Sequence, residues 1–204
     1  MPRVVVTNLW NFIAFRHLLG IPAELARTTQ ELRERLAQPA DLVVLDDLPL
    51  VTGRDDEAGL AAELTRTAVL VAGGWHSYEG KVFQKGAFAE QCPLRVLDGG
   101  WRQRRVALAR PRRSPQKLPV DGLPMITGVH EAAHVAGRVV LTDARTGNVL
   151  AALREGSSPA LCLAFPIHPG GAQRLFFHRD YPALLREWLG LLELHVQIPP
   201  QPDS

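Results

Sequence analysis

The stretch VLVAGGWHSYEG, Val69 to Gly80, decides the fold. Its opening residues, Val69-Leu70-Val71-Ala72, are apolar without alternation. A strand with no polar face is buried on both sides, as in a parallel sheet covered by helices. Gly73 and Gly74 then close it, because paired glycines let the backbone turn where side chains would obstruct. In open α/β sheets ligands bind outside the carboxyl ends of the strands. Trp75, His76 and Ser77 are therefore expected at a functional rim.

Upstream, DLVVLDDLP (41–49) reads as a second apolar strand, ending in Asp46 and Asp47, and RVVVT (3–7) as a first one, ending at Asn8. Trp10 to Leu19 forms a helix stopped by Gly20 and Pro22. Thr28 or Thr29 caps TTQELRERLAQ, with Glu31 close to capping-box distance from Thr28, and Pro39 ends it. EAGLAAELTRT (57–67) supplies another helix. The order strand, helix, helix, strand, helix, strand predicts α/β architecture with a flavodoxin-like, doubly wound parallel sheet. Its rim gathers Asn8, Asp46, Asp47, Trp75, His76 and Ser77 as a ligand-binding set, an apolar ring beside imidazole and carboxylates. In the plainer reading Asp47 caps a turn, Trp75 fills a gap and His76 is solvated.

The second half carries a different pattern. PLRVLDGGWRQRRVALARP (93–111) predicts strands or a hairpin, and RVVLTDARTGNVLAALREG (138–156) predicts a hairpin around Arg145-Thr146-Gly147-Asn148. ALCLAFPIH (160–168) is a further strand that delivers His168 to the rim, and AQRLFFH (172–178) another strand. YPALLREWLGLLELH (181–195) is a terminal amphipathic helix with Leu184, Leu185, Trp188, Leu191 and Leu192 at helical spacing. With no internal repeat or linker, the expectation is one domain over 1–204, with its core over 3–194 and a loose tail at 197–204.

Composition narrows the function classes. The 204 residues are 46% hydrophobic and 22% charged, with a net charge of +2, too small by itself to imply a nucleic-acid partner. The basic segment Arg102–Lys117 has no acidic residue; it could meet an acidic partner, although a solvated connection is the plainer reading. Cys92 and Cys162 lack C-x-x-C spacing, which favours a reduced, cytoplasmic setting. No apolar run reaches membrane-span length, and the first residues lack a signal peptide's apolar core. No membrane association and no cofactor are expected.

GVHEAAHVAG (128–137) contains His130, Glu131 and His134, an H-E-x-x-H pattern. On a helix the two imidazoles would share one face and bind zinc, with the glutamate as general base. However, Gly128 and Gly137 bracket only a short run, a hairpin pattern follows, and the third-histidine position is Val140. The segment is expected to be a connecting strand or loop. His130 and His134 remain weak metal candidates, and a zinc hydrolase remains an alternative.

Taken in order, DLVVLDDLP, LVAGGWHSYEGKVFQKGAFAEQCPLRV and GVHEAAHVAGRVVLTDARTGNVLAALREG, then a strand and a terminal helix, resemble the glutamine amidotransferase-like family over residues 40–190. The middle stretch is the most specific: strand, Gly-Gly, aromatic-x-Ser-aromatic, glycine-rich excursion, and a closing run taken by Cys92-Pro93-Leu94-Arg95-Val96. The resemblance implies the class I amidotransferase fold, with a cysteine nucleophile at a strand-to-helix elbow and His and Glu near the C-terminal end. At that elbow this sequence has Trp75, and indole cannot attack an amide. FPIHPGG is similar to the family's His-Pro-Glu, with Gly170 in place of the glutamate. The resemblance therefore implies a pseudoenzyme that binds an unidentified small molecule or protein, homo-oligomers included. The alternative is a hydrolase with a relocated site, Ser77 activated by His76 or His168.

Overall fold

Val4–Val6 forms β1 with all three side chains buried, as an apolar run in a covered sheet requires. The computed structural model describes residues 2–46, 60, 62–73, 92–96, 102–111, 116–129, 131–168 and 175–194. After β1 the chain enters α1, Leu9–Ile13, which continues as a π-helical turn over Ala14–Leu18. Gly20, at φ +65°, ends it, and Ile21 N–H reaches back to the Phe15 carbonyl at 2.9 Å. β2 is Ala23–Leu25, α2 is Thr29–Leu36, β3 is Leu42–Asp46 and β4 is Ala68–Ala72. Leu60 and residues 62–64 are helical.

β2 is absent from the sequence reading, which has two successive helices there. Three residues following Pro22 are too few to register as a pattern, and only the parallel pairing with β1 makes them a strand. That strand changes the topology. The chain leaves β1 for β2 on one side and returns past β1 to β3 on the other. Right-handed crossovers in opposite directions put their helices on opposite faces of the sheet.

β5 is Leu94–Val96, β6 Arg102–Ala109, β7 Pro124–Val129, β8 Ala132–Val135, β9 Arg138–Asp143, β10 Val149–Arg154 and β11 Ala160–Leu163. Among the described residues the main sheet has nine strands in the order β2-β1-β3-β4-β11-β10-β9-β6-β7, and β5-β8 form a separate pair. β2, β1, β3, β4 and β11 are parallel. From β10 outward every pairing is antiparallel. The sheet is thus mixed α/β: a parallel half followed by an antiparallel extension.

The hairpin expected over 138–156 is β9–β10. Its turn is held by Asp143, whose carboxylate accepts from Ala107 N–H (3.0 Å), Arg145 N–H (3.2 Å) and the Thr146 hydroxyl (2.8 Å). Of the strands or hairpin expected over 93–111, strands are formed and the hairpin is not. β5 and β6 do not pair with each other; β5 pairs with β8, and β6 with β7 and β9. The strand read over AQRLFFH is not formed where it is described: Leu175 and Phe176 are helical and His178 N–H closes a turn onto Leu175.

The terminal helix, α3, is Tyr181–Leu191. Tyr181, Leu184, Leu185, Trp188, Leu189 and Leu192 bury one stripe, with Leu189 deeper than the expected Leu191. Trp188 packs against Phe165, just past β11, at 6.5 Å between ring centroids. Burial of each such side chain contributes about 1.5–3 kcal/mol, which is why a helix remote in sequence docks here. Among the described residues no helix is long and apolar enough to cross a membrane.

Candidate functional site

The parallel strands β1, β3, β4 and β11 end on one edge, and the polar residues at their carboxyl ends meet there. β1 runs into Thr7, whose hydroxyl accepts from Asp46 N–H at 2.9 Å and lies 3.2 and 3.1 Å from the Val44 and Asp46 carbonyls, where it donates. Thr7 N–H donates to Val44 O at 3.1 Å. These bonds tie the end of β1 to the end of β3. Asn8 is half-buried and caps α1, its side-chain oxygen accepting from Trp10 N–H at 2.8 Å. The cap fixes the helix so that buried Asn11 donates its amide to the Asp46 carboxylate at 3.0 Å.

Asp46 is fully buried at the end of β3. A carboxylate in that position persists only with hydrogen-bond partners. Tyr181, at the start of α3, approaches from the other side. Its hydroxyl donates to the Ile167 carbonyl at 3.4 Å, and burial first, then the Asp46 charge, holds the phenol protonated far above its ordinary range. Asp46 therefore braces the edge from beneath and does not line its open surface. Above it an aromatic row runs outward: Tyr181 to Phe176 at 5.3 Å, Phe176 to Phe177 at 5.2 Å and Phe176 to Trp10 at 6.1 Å. Trp10 and Phe177 are 43% and 65% exposed, so the row ends at solvent.

Between β4 and β11 the backbones nearly touch. Gly73 has φ +58°, and a β-carbon there would lie 2.8 Å from Pro166 backbone atoms. The first glycine of the Gly-Gly pair is thus required twice over, by conformation and by space. Pro166 leads to Ile167 and to half-buried His168 at the same edge.

Of the residues expected at the rim, Asn8, Asp46 and His168 are brought to this edge. Asp47, Trp75, His76 and Ser77 lie outside the described residues. Thr7, Asn11 and Tyr181 are additional. Asn11 had a legible signal, as the single polar residue in the apolar run from Leu9 to Phe15. Tyr181 had none, because most of the chain separates it from Asp46.

Neither cysteine offers a nucleophile. Cys162 lies within β11, paired with Val71 on one side and Ala152 on the other, and both cysteines are buried. Burial, reinforced by the hydrogen bond with Cys92, pushes the Cys162 thiol well above its ordinary pKa. A reactive cysteine needs the opposite environment, exposed and electropositive.

The described residues of the H-E-x-x-H segment are not helical, and Ala132–Val135 is the strand β8. His130 lies outside the described residues, Glu131 sits 3.9 Å from Arg104, and exposed His134 is on β8 opposite Arg95. The face shared by i and i+4 on a helix is not formed. The glycine that extends the motif has a packing reason: a β-carbon on Gly137 would collide with the Leu153 carbonyl and with Pro93.

No family model and no curated protein matches the sequence. Solved structures do share the fold. PurLQS from Thermotoga maritima is 14% identical at a TM-score of 0.52, with 94% of this chain and 99% of that chain covered. A putative ThuA-like protein from Bacteroides uniformis is 8% identical at 0.54, with 93% and 89% covered. The exo-beta-1,4-mannosidase Op5Man5 from an Opitutaceae bacterium is 13% identical at 0.54, with 93% of this chain matched. The chain spans only 36% of that mannosidase and 31% of a similar beta-galactosidase from Rahnella. At these identities the likeness is one of fold.

Proposed function

We propose that this chain is a glutamine amidotransferase-like domain of flavodoxin type that lacks amide-transfer chemistry and acts as a ligand-binding or protein-interaction module. The order β2-β1-β3-β4-β11 is the flavodoxin order, and sheets of that order bind ligands where it reverses, between the first and third strands. Half-buried Asn8 stands at that reversal, and buried Thr7, Asn11 and Asp46 brace it from beneath. The likeness of fold to PurLQS and to the ThuA-like protein supports the family reading. The observation that carries the absence of chemistry is the burial of both cysteines within the core, which leaves no accessible thiolate to attack an amide. The same two unbridged thiols favour a cytoplasmic setting.

Ammonia release from glutamine tests this directly. No turnover above buffer is expected; turnover abolished by Cys92→Ala or Cys162→Ala overturns the proposal. The half-buried His168 at the edge favours one second reading, a hydrolase using Ser77. A fluorophosphonate probe separates the two. Labelling lost in both Ser77→Ala and His168→Ala supports the hydrolase, and no labelling supports the binding module.

A further inference from the structure

A second concavity lies on the antiparallel extension. Only Leu108 and Ala109 of β6 pair with β9, whereas Arg102 to Ala107 pair with β7 alone, so the β6–β7 ribbon runs on past the β9–β10 turn. Between ribbon, turn and β8 is a cavity of about 400 Å³. That is within the roughly 300–1,000 Å³ range of small-molecule sites. In sheet order β6 is five positions from β3, or roughly 24 Å at the usual strand spacing of about 4.8 Å, so the cavity is separate from the Asp46 edge.

Strand geometry decides which side chains enter it. Successive residues of a strand face opposite ways, and residues directly opposite on paired strands share a face. Arg104 and Val106 therefore share one face of the ribbon with Val129, the partner of Arg102, and the Arg105 side chain takes the other face. The cavity is on the first of these, where Glu131 joins the lining with its carboxylate 3.9 Å from the Arg104 guanidinium. One cation and one anion thus stand side by side, both partly exposed. Their separation is beyond charge-assisted hydrogen-bond length, and neither side chain makes a hydrogen bond among the described residues. Asp143, the other carboxylate in the lining, is committed to Ala107 N–H, Arg145 N–H and the Thr146 hydroxyl. Val106, Val129, Val135 and Leu150 add apolar walls. A simple anion here would meet Glu131 as well as Arg104, and a simple cation the reverse. A zwitterion meets an opposite charge with each head group. An α-amino acid has its carboxylate and ammonium on one carbon, and an apolar side chain on that carbon would reach the walls.

We propose that this cavity binds a free α-amino acid with an apolar side chain, its carboxylate on Arg104, its ammonium on Glu131 and its side chain against Val106, Val129, Val135 and Leu150. Calorimetric titration of the full chain with phenylalanine and leucine tests it, beside hydrocinnamate, which lacks the ammonium, phenethylamine, which lacks the carboxylate, and glycine, which lacks the apolar body. Saturable binding of phenylalanine or leucine is expected, at least tenfold tighter than any of the other three. Arg104→Gln and Glu131→Gln should each weaken it at least tenfold. An exposed ion pair adds little to stability, so both variants should keep the thermal midpoint of the parent chain. Ala132→Phe, which fills the cavity and keeps both charges, should weaken binding as much, while Arg138→Gln, on an exposed ion pair elsewhere, should change it less than twofold. Failure of both apolar amino acids to bind overturns the proposal. So does equal binding of hydrocinnamate, phenethylamine or glycine, or an affinity unchanged in either charge variant.

Discussion

Gly73 and Gly20 share a positive φ but not a neighbourhood, and that contrast isolates what each costs to replace. At Gly20 a β-carbon meets open space; at Gly73 it meets the Pro166 backbone. Gly20→Ala is expected to cost about 1–2 kcal/mol, the left-handed penalty alone. Gly73→Ala adds a backbone clash and should cost clearly more in urea unfolding; equal costs would show that β4 and β11 are not in contact there. At Asn11, truncation to alanine removes a donor from the buried Asp46 carboxylate. A loss of about 1.5–3 kcal/mol is expected, typical of a hydrogen bond to a charged group. Asp143 sets a pH dependence. Burial pushes its carboxyl up, but hydrogen bonds from Ala107 N–H, the Thr146 hydroxyl and Arg145 N–H, with the Arg145 charge, outweigh it and hold the group below 3.8. A carboxyl with a lowered folded-state pKa stabilises the fold above its unfolded value and loses that contribution as pH falls through the folded value. The stability gap between wild type and Asp143→Asn should therefore be full above the ordinary value of 3.8 and shrink on the acid side of it, followed by denaturation at stepped pH.

At the scale of elements, local chemistry and docking separate cleanly. α2 is specified locally: the Thr28 hydroxyl accepts from Glu31 N–H at 3.1 Å, and the Glu31 carboxylate reaches back to Arg27 N–H at 2.7 Å, one residue earlier than a capping box would have it. Thr28→Ala should cost about 1 kcal/mol, measured as a shift in the chemical midpoint. α3 depends instead on its buried stripe. Trp188→Ala should cost about 3–5 kcal/mol and release the helix that carries Tyr181. A cost below about 1 kcal/mol would mean that α3 does not seal the core. The β9–β10 hairpin was legible because its apolar runs and its turn are contiguous. The partners of β5 and β6 were not, because β5 finds β8, and β6 finds β7 and β9, across intervening chain that sets no periodicity.

For the whole molecule, the sequence by itself determined the α/β class, the apolar strands β1, β3, β4 and β11, the hairpin and the terminal helix. Each of these rests on a run of neighbours whose burial pattern or turn chemistry is local. It also pointed to the carboxyl edge as the place for Asn8, Asp46 and His168, because parallel strands end together. Tertiary structure alone decided the rest. β2 exists because β1 offers its three residues a free edge. The second half of the H-E-x-x-H run is extended because β5 pairs with it. Tyr181 comes within reach of the Asp46 charge, and Cys92 meets Cys162, because helix docking and strand pairing close long loops, and no local pattern encodes which distant side chains a closed loop brings together.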